Sequence, residues 1–251
     1  MAEDRPTRVQ LCGSLVVELR GRRVEAELPG RQGRLVFAYL ALQRVRAVSR
    51  DELVEAIWPD GAPAAEAAGL AALVSKLRRV LGPETIQGRS ELRLCLPAGA
   101  RLDVEAAREA VHRAESAVAR ADWPRAWGAA QVTLFTARRG FLPGEELPWV
   151  VDVQRELESL HLRALEAYGT ASLGLGGTEL AAAERVGREL IALAPYRESG
   201  HRLLIEGLAA RGNLAEALRA YDDLRTLLRE ELGIAPGPEM QRLHATLVRA
   251  R

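Results

Sequence analysis

From Pro63 to Gly82 apolar residues recur at helical spacing, as Leu70, Leu73, Val74, Leu77 and Leu81, and leave one narrow face to other residue types. With about 3.6 residues per turn, that face carries Ala65, Ala68, Ala72, Ser75, Lys76 and Arg79. The pattern predicts a helix over 63–81, closed by Gly82, which accepts the left-handed conformation at a helix end, and by Pro83. Small side chains at one end of the face let the backbone approach a large flat partner, and the donors that follow then reach into it. A helix that enters the DNA major groove needs both.

The residues around this helix alternate differently. Val9-Gln10-Leu11, Leu15 to Leu19 and Val24 to Leu28 read as strands of a small antiparallel sheet, with Gly21-Arg22-Arg23 as the turn between the last two. Arg31 to Val45 reads as a helix whose core side holds Leu35, Val36, Tyr39, Leu40 and Leu42. Ser49-Arg50-Asp51-Glu52 is a capping box at the start of a short helix that ends at Trp58-Pro59. After Gly82 the run Thr85-Ile86-Gln87, the turn Gly88-Arg89-Ser90 and the alternating Leu92 to Leu96 predict a β-hairpin with Arg89 and Arg93 on its exposed side. Sheet, three helices and hairpin in this order predict a winged helix-turn-helix of α+β type. In that arrangement the third helix reads the groove and the hairpin touches the neighbouring backbone.

The candidate DNA-binding residues are therefore Ala72, Ser75, Lys76 and Arg79 on the open face of the third helix, and Arg78 on its flank. Arg50, Arg89 and Arg93 complete the set. Arg79, pointing away from the core, suits a base edge, and Arg78 suits a phosphate. Arg50 is placed to reach a phosphate from the start of the second helix. Without the surrounding order of elements, paired arginines on a helix are a solvated face, and Arg89 and Arg93 equally serve to keep an edge hairpin soluble.

From Asp103 onward the chain reads as helical and rich in alanine. Breaks fall at Asp122-Trp123-Pro124, 140–148, 174–178, Pro195, Gly212-Asn213 and 233–238. Leu180 and Ala183 pair with Leu214 and Ala217 at a separation of about 34 residues, and Leu190 pairs with Leu224 at the same offset, which is the tetratricopeptide period. A weaker copy aligns around Trp123, Ala126 and Ala130. The fold class expected is mainly α: residues 1–100 as a winged helix-turn-helix, then 101–251 as an all-α, tetratricopeptide-like repeat domain.

Composition sharpens this division. The 251 residues hold 35 basic and 34 acidic side chains. Residues 1–101 carry 16 basic against 12 acidic, and the remainder 19 against 22. A basic front suits nucleic acid and an acidic back suits protein contacts. Lys76 is the sole lysine, and the preference for arginine and alanine reads as codon bias rather than function. Cys12 and Cys95 stand far apart with no histidine at metal-ligand spacing, so no metal and no other cofactor is expected. No apolar run nears the roughly 20 residues of a membrane span, and Met-Ala-Glu-Asp-Arg lacks a signal-peptide layout, so a cytoplasmic protein with no membrane partner is expected. Trp58, Trp123, Trp127 and Trp149, with Tyr168, Tyr196 and Tyr221, read as packing residues. His112, His161, His201 and His244 have no metal spacing, and no local motif of nucleophilic catalysis is present, so an enzyme is not expected.

The order of elements also carries a resemblance. Val48-Ser49-Arg50-Asp51-Glu52-Leu53 through Ile57-Trp58, Val74-Ser75-Lys76-Leu77-Arg78-Arg79-Val80-Leu81-Gly82, Glu216-Ala217-Leu218 with Tyr221, and Leu228 through Glu239 resemble the SARP regulators (Streptomyces antibiotic regulatory proteins) and their bacterial transcriptional activator domain. The resemblance covers residues 8–248. It implies sequence-specific binding of double-stranded DNA, usually by homodimers on direct repeats at a promoter, and recruitment of RNA polymerase through its sigma and alpha subunits. The chain resembles the short, stand-alone members, having no Gly-rich phosphate loop. It departs from relatives at Ala71 and Leu73, where polar residues are common, and at Leu92, where an aromatic is. Two readings follow: an activator that relies on Arg79, Lys76 and DNA shape, or a protein-interaction module whose DNA-binding domain is vestigial.

Overall fold

The computed structural model describes residues 7–59 and 66–249. Its chain gathers into two compact units, 1–106 with 139–157, and 107–138 with 158–251.

In the first unit, β1 (Arg8–Gln10) pairs antiparallel with β2 (Val16–Leu19), and β2 pairs with β3 (Arg22–Arg23). Arg20 and Gly21 between them have φ of 51° and 79°, the two-residue hairpin turn whose twist matches that of the strands. This tight turn uses Arg22 and Arg23 as the returning strand, opposite Leu19 and Glu18. The strand expected over Val24 to Leu28 is absent, and Glu25–Glu27 forms a 3-10 turn instead. Val24 and Leu28, four residues apart, are both buried at its ends while Ala26 is exposed. Spacing by four fits a turn, and the same residues looked like alternation in sequence. Glu25 fastens the turn by accepting from the Val17 amide at 3.2 Å. A further strand, β7 (Arg101–Leu102), joins β1 in parallel and completes the order β3-β2-β1-β7.

Helix α1 (Gly30–Leu42) stops three residues before the expected Val45, which is exposed, and buries Leu35, Val36, Phe37 and Leu40. Next come β4 (Val48–Ser49) and α2 (Arg50–Ile57). Ser49 caps α2 by accepting from the Glu52 amide at 3.0 Å. The Glu52 carboxylate also takes the Tyr39 hydroxyl at 2.7 Å and the Arg46 guanidinium, so the cap is tied to the end of α1. Helix α3 (Glu66–Leu81) follows. Its expected start at Pro63, the loop Asp60-Gly61-Ala62, Ala65 and the side chain of Ala68 lie outside the described residues. Strands β5 (Ile86–Gln87) and β6 (Glu91–Leu94) form the hairpin, and β4 joins its other edge in the order β4-β6-β5. Phe141, fully buried, anchors the returning segment through a bridge from its neighbourhood to Cys12. Trp149 packs edge-on against both Phe141 and Tyr39 and donates its indole N–H to the Ala56 carbonyl at 3.0 Å.

The second unit is helical. It comprises α4 (Asp103–Ala119) from residue 107 onward and α6 (Pro148–Leu175) from residue 158 onward, with α5 (Trp123–Ala137), α7 (Leu180–Leu193), α8 (Glu198–Ala210), α9 (Leu214–Leu227) and α10 (Pro238–Arg249). Alanine has a packing role here. Ala114, Ala130 and Ala167 form one cluster and Ala117, Ala126 and Ala171 another, bringing α4, α5 and α6 close together. The residues that repeat at an offset of 34 are equivalently placed: Ala183 and Ala217, and Leu190 and Leu224, have no exposed surface. Trp127 stacks on Tyr168, and Tyr221, buried, stacks on His244. Tyr196, expected in the core, is 49% exposed because it sits in the turn between α7 and α8 rather than on a packed helix face.

Two histidines of this unit are held below their ordinary value near 6.5, in each case first by burial. His201 keeps an Nε2 hydrogen bond with the Pro195 carbonyl at 2.9 Å, and Glu189 partly offsets burial at His161. A depressed folded pKa contributes stability that is complete above the unfolded value and drains away as pH falls through the folded one. The urea midpoint is therefore expected to fall between pH 7 and pH 5.5, before most carboxylates titrate, and to fall less in His201→Asn. A midpoint that is flat over that interval contradicts the assignment.

Candidate nucleic-acid interface

Helix α3 buries Leu70, Val74, Leu77 and Leu81 against the first unit's core. Ala72, Ser75, Lys76 and Arg79 are all exposed on its opposite side, together with Ala71. Leu73 is half-buried, so of the two departures on this helix only Ala71 stands fully on the open face. Leu92 is fully buried in β6, where it serves the core rather than the surface.

The arginines divide into two groups. Arg79, Arg89 and Arg93 are exposed, Arg89 on the hairpin turn and Arg93 on β6, where its Nε lies 3.4 Å from the Arg44 carbonyl. Arg78 and Arg50 are half-buried and turned toward the hairpin. Arg78 donates Nε to the Ile86 carbonyl at 2.9 Å and Nη2 to the Gly88 carbonyl at 2.5 Å. Arg50 is the first residue of α2, and it donates Nε to the Arg89 carbonyl at 2.6 Å and its backbone N–H to the Ser90 carbonyl at 3.2 Å. Among the described residues no ion pair involves Arg50, Lys76, Arg78, Arg79, Arg89 or Arg93. By contrast, Arg44 and Arg46 nearby are paired with Glu105 and Glu52. A cluster of cations left without carboxylates is an electrostatic footprint for an anionic partner.

The supporting groups are strongly coupled. The Arg46 hydrogen bond, followed by that of Tyr39 and the Ser49 amide, holds the Glu52 carboxyl below the usual carboxylate range in spite of burial. Burial first, and the bond to Glu52 second, push Tyr39 up to about 12. Both groups thus keep one protonation state around neutrality and fix the join of α1 and α2. The inward direction of Arg78 and the third strand β4 were not apparent in the sequence. The available signal was that Arg78 adjoins the buried Leu77 and precedes the hairpin by only eight residues, within reach of a long side chain.

No group of His, Cys, Asp and Glu able to hold a metal occurs among the described residues. The two thiols are free, and burial pushes that of Cys12 up. No helix among the described residues is long and apolar enough to cross a membrane.

Residues 102–248 match the family model of the bacterial transcriptional activator domain. The chain belongs to this family. It is 31% identical over 224 residues to the regulatory protein AfsR of Streptomyces griseus, an alignment that covers 87% of this chain and 22% of AfsR. It is 29% identical to the transcriptional regulatory protein MoaR1 of Mycobacterium tuberculosis, over 95% of this chain and 78% of MoaR1. The relatives are SARP-family regulators, the group that the motifs of α2, α3 and α9 resemble. The chain thus spans about a fifth of the length of AfsR. In fold it matches Mycobacterium tuberculosis EmbR, solved in complex with a low-affinity phosphopeptide. The TM-score is 0.84 at 24% identity, over 99% of this chain and 66% of that one.

Proposed function

We propose that this family member is a transcriptional regulator that binds double-stranded DNA in a sequence-specific way, with its first unit acting as a winged helix-turn-helix and α3 lying in the major groove. The observation that carries the reading is the exposed face Ala72, Ser75, Lys76 and Arg79, bordered by a hairpin whose cations Arg89 and Arg93 have no carboxylate partner among the described residues. Lys76 and Arg79 donate to base edges, and the small Ala72 lets the helix seat closely. The second unit is read as tetratricopeptide-like pairs, α7 with α8 and α9 with α10, supported by the equivalent burial at the 34-residue offset. In line with the family, it serves contacts with RNA polymerase sigma and alpha subunits and a homodimer on DNA, which makes the protein an activator.

Selection from a random duplex pool tests this directly, and it is expected to return one sequence pattern. Affinity for that duplex depends on counterions released from neutralised phosphates. About five such contacts weaken binding roughly 20-fold for each doubling of salt. Recovery of no preferred sequence at any salt ends the specific-regulator reading.

One observation favours a second reading. Ala71 and Ala72 together leave the open face with few hydrogen-bond donors, as in an interaction module that has lost its DNA target. A full-chain pull-down that retains a partner other than RNA polymerase, alongside failure of the selection, supports it.

A further inference from the structure

We infer that Arg78 and Arg50 are positioning residues that clamp the hairpin turn, and that Arg89, the residue they present, makes the hairpin's contact with the DNA backbone. This rests on the proposed DNA-binding function and assigns the hairpin's part in it. Three carbonyls of the turn, those of Ile86, Gly88 and Arg89, are each occupied by a guanidinium N–H from α3 or α2. A fourth, on Ser90, takes the Arg50 amide. The turn is thus gripped from both helices at once. Gly88 makes the geometry possible: its φ is +95°, and a Cβ there would run into the Glu91 carbonyl.

The grip has two consequences. A guanidinium with two of its N–H groups committed to strand carbonyls has a fixed orientation and is spent as a free phosphate donor on that side, which removes Arg78 from the role its flank position implied. The hairpin then moves with α3 as one body. Arg89 stands at the tip, exposed and in no ion pair among the described residues, and its backbone is fixed at the carbonyl by Arg50. Phosphate contacts set the register in which a helix reads bases. Locking Arg89 relative to Lys76 and Arg79 therefore fixes the distance between backbone contact and base contact.

The test uses the full chain with Arg78→Ala, Arg89→Ala, the double variant, Arg78→Lys and Gly88→Ala, each checked for folding by thermal melting. Without DNA, amide hydrogen exchange over residues 86–94 is expected to speed up about tenfold in Arg78→Ala, in Arg78→Lys and in Gly88→Ala, and to stay unchanged in Arg89→Ala. Lysine restores charge but lacks the two-pronged donor. On the selected duplex, Arg78→Ala and Arg89→Ala are each expected to lower the salt slope by about one phosphate and to lose protection at the same flanking nucleotides. The double variant is expected to be no worse than either single one, since both act through one contact. Additive losses, protection lost at different nucleotides, or rescue of binding by Arg78→Lys make Arg78 itself the phosphate contact and overturn the clamp. Unchanged exchange in Arg78→Ala overturns it without any DNA. Faster exchange combined with no specific duplex keeps the clamp and fails the DNA-binding function instead.

Discussion

Arg79→Ala is expected to cut the preference for the selected duplex over a scrambled one by roughly 5- to 150-fold, the equivalent of about 1–3 kcal/mol for a base-edge contact. Affinity for the scrambled duplex is expected to change far less. Arg79 is the one arginine of α3 that is exposed and free of the hairpin, whereas its neighbour Arg78 is committed to backbone carbonyls. Competition binding at fixed salt measures the ratio. Equal losses on both duplexes would assign Arg79 to a phosphate and leave Lys76 as the remaining cation for base edges on this helix. Arg93→Ala provides the contrast: lying on β6, with its Nε 3.4 Å from the Arg44 carbonyl, it is expected to weaken both duplexes alike.

Gly187→Ala is expected to destabilise the second unit by about 1–3 kcal/mol, the range for overpacking a tight contact. A Cβ on Gly187 of α7 would sit 2.6 Å from the backbone nitrogen of Leu204 and 2.9 Å from the carbonyl oxygen of Gly200, both in α8. Backbone atoms cannot rotate aside, so the two helices must separate and thin the burial of Leu190 and Leu203. Gly128→Ala on α5 is the control. It is exposed with nothing within 4 Å of the added carbon, and alanine in a helix interior is favoured there by roughly 0.5–1 kcal/mol. Thermal melting of the two variants should move in opposite directions. Equal melting temperatures would contradict the close approach of α7 and α8.

What was legible in the sequence followed from periodicity sustained over many residues. Leu70, Val74, Leu77 and Leu81 defined both the buried side of α3 and, by exclusion, the side carrying Lys76 and Arg79. Helix breaks at glycine and proline fell where expected from α4 to α10, because each removes a donor or requires a backbone that helices disfavour. Short elements were harder. Val24 and Leu28 satisfy alternation and a single turn equally well, and the positive φ of Arg20 decided between them. Two-residue strands such as β4 and β7 carry no period at all and exist only through their partners, β6 and β1. The same limit applied to the interface. Exposure of Arg79 followed from helical phase, but the inward turn of Arg78 depended on where the hairpin came to rest, which is a tertiary fact.

β7 and the segment 139–157 belong to the first unit although both lie beyond residue 100. The piece that bears α3 is therefore not an uninterrupted cassette. A chimera joined at a single point after the hairpin would strip β1 of its parallel neighbour and remove the indole that fills the space beside Tyr39 and Ala56. Exchanging the first unit between relatives then requires three junctions made in concert, one after residue 106 and one on each side of 139–157. Substitution on the open side of α3, by contrast, leaves both pieces of the unit and their packing in place.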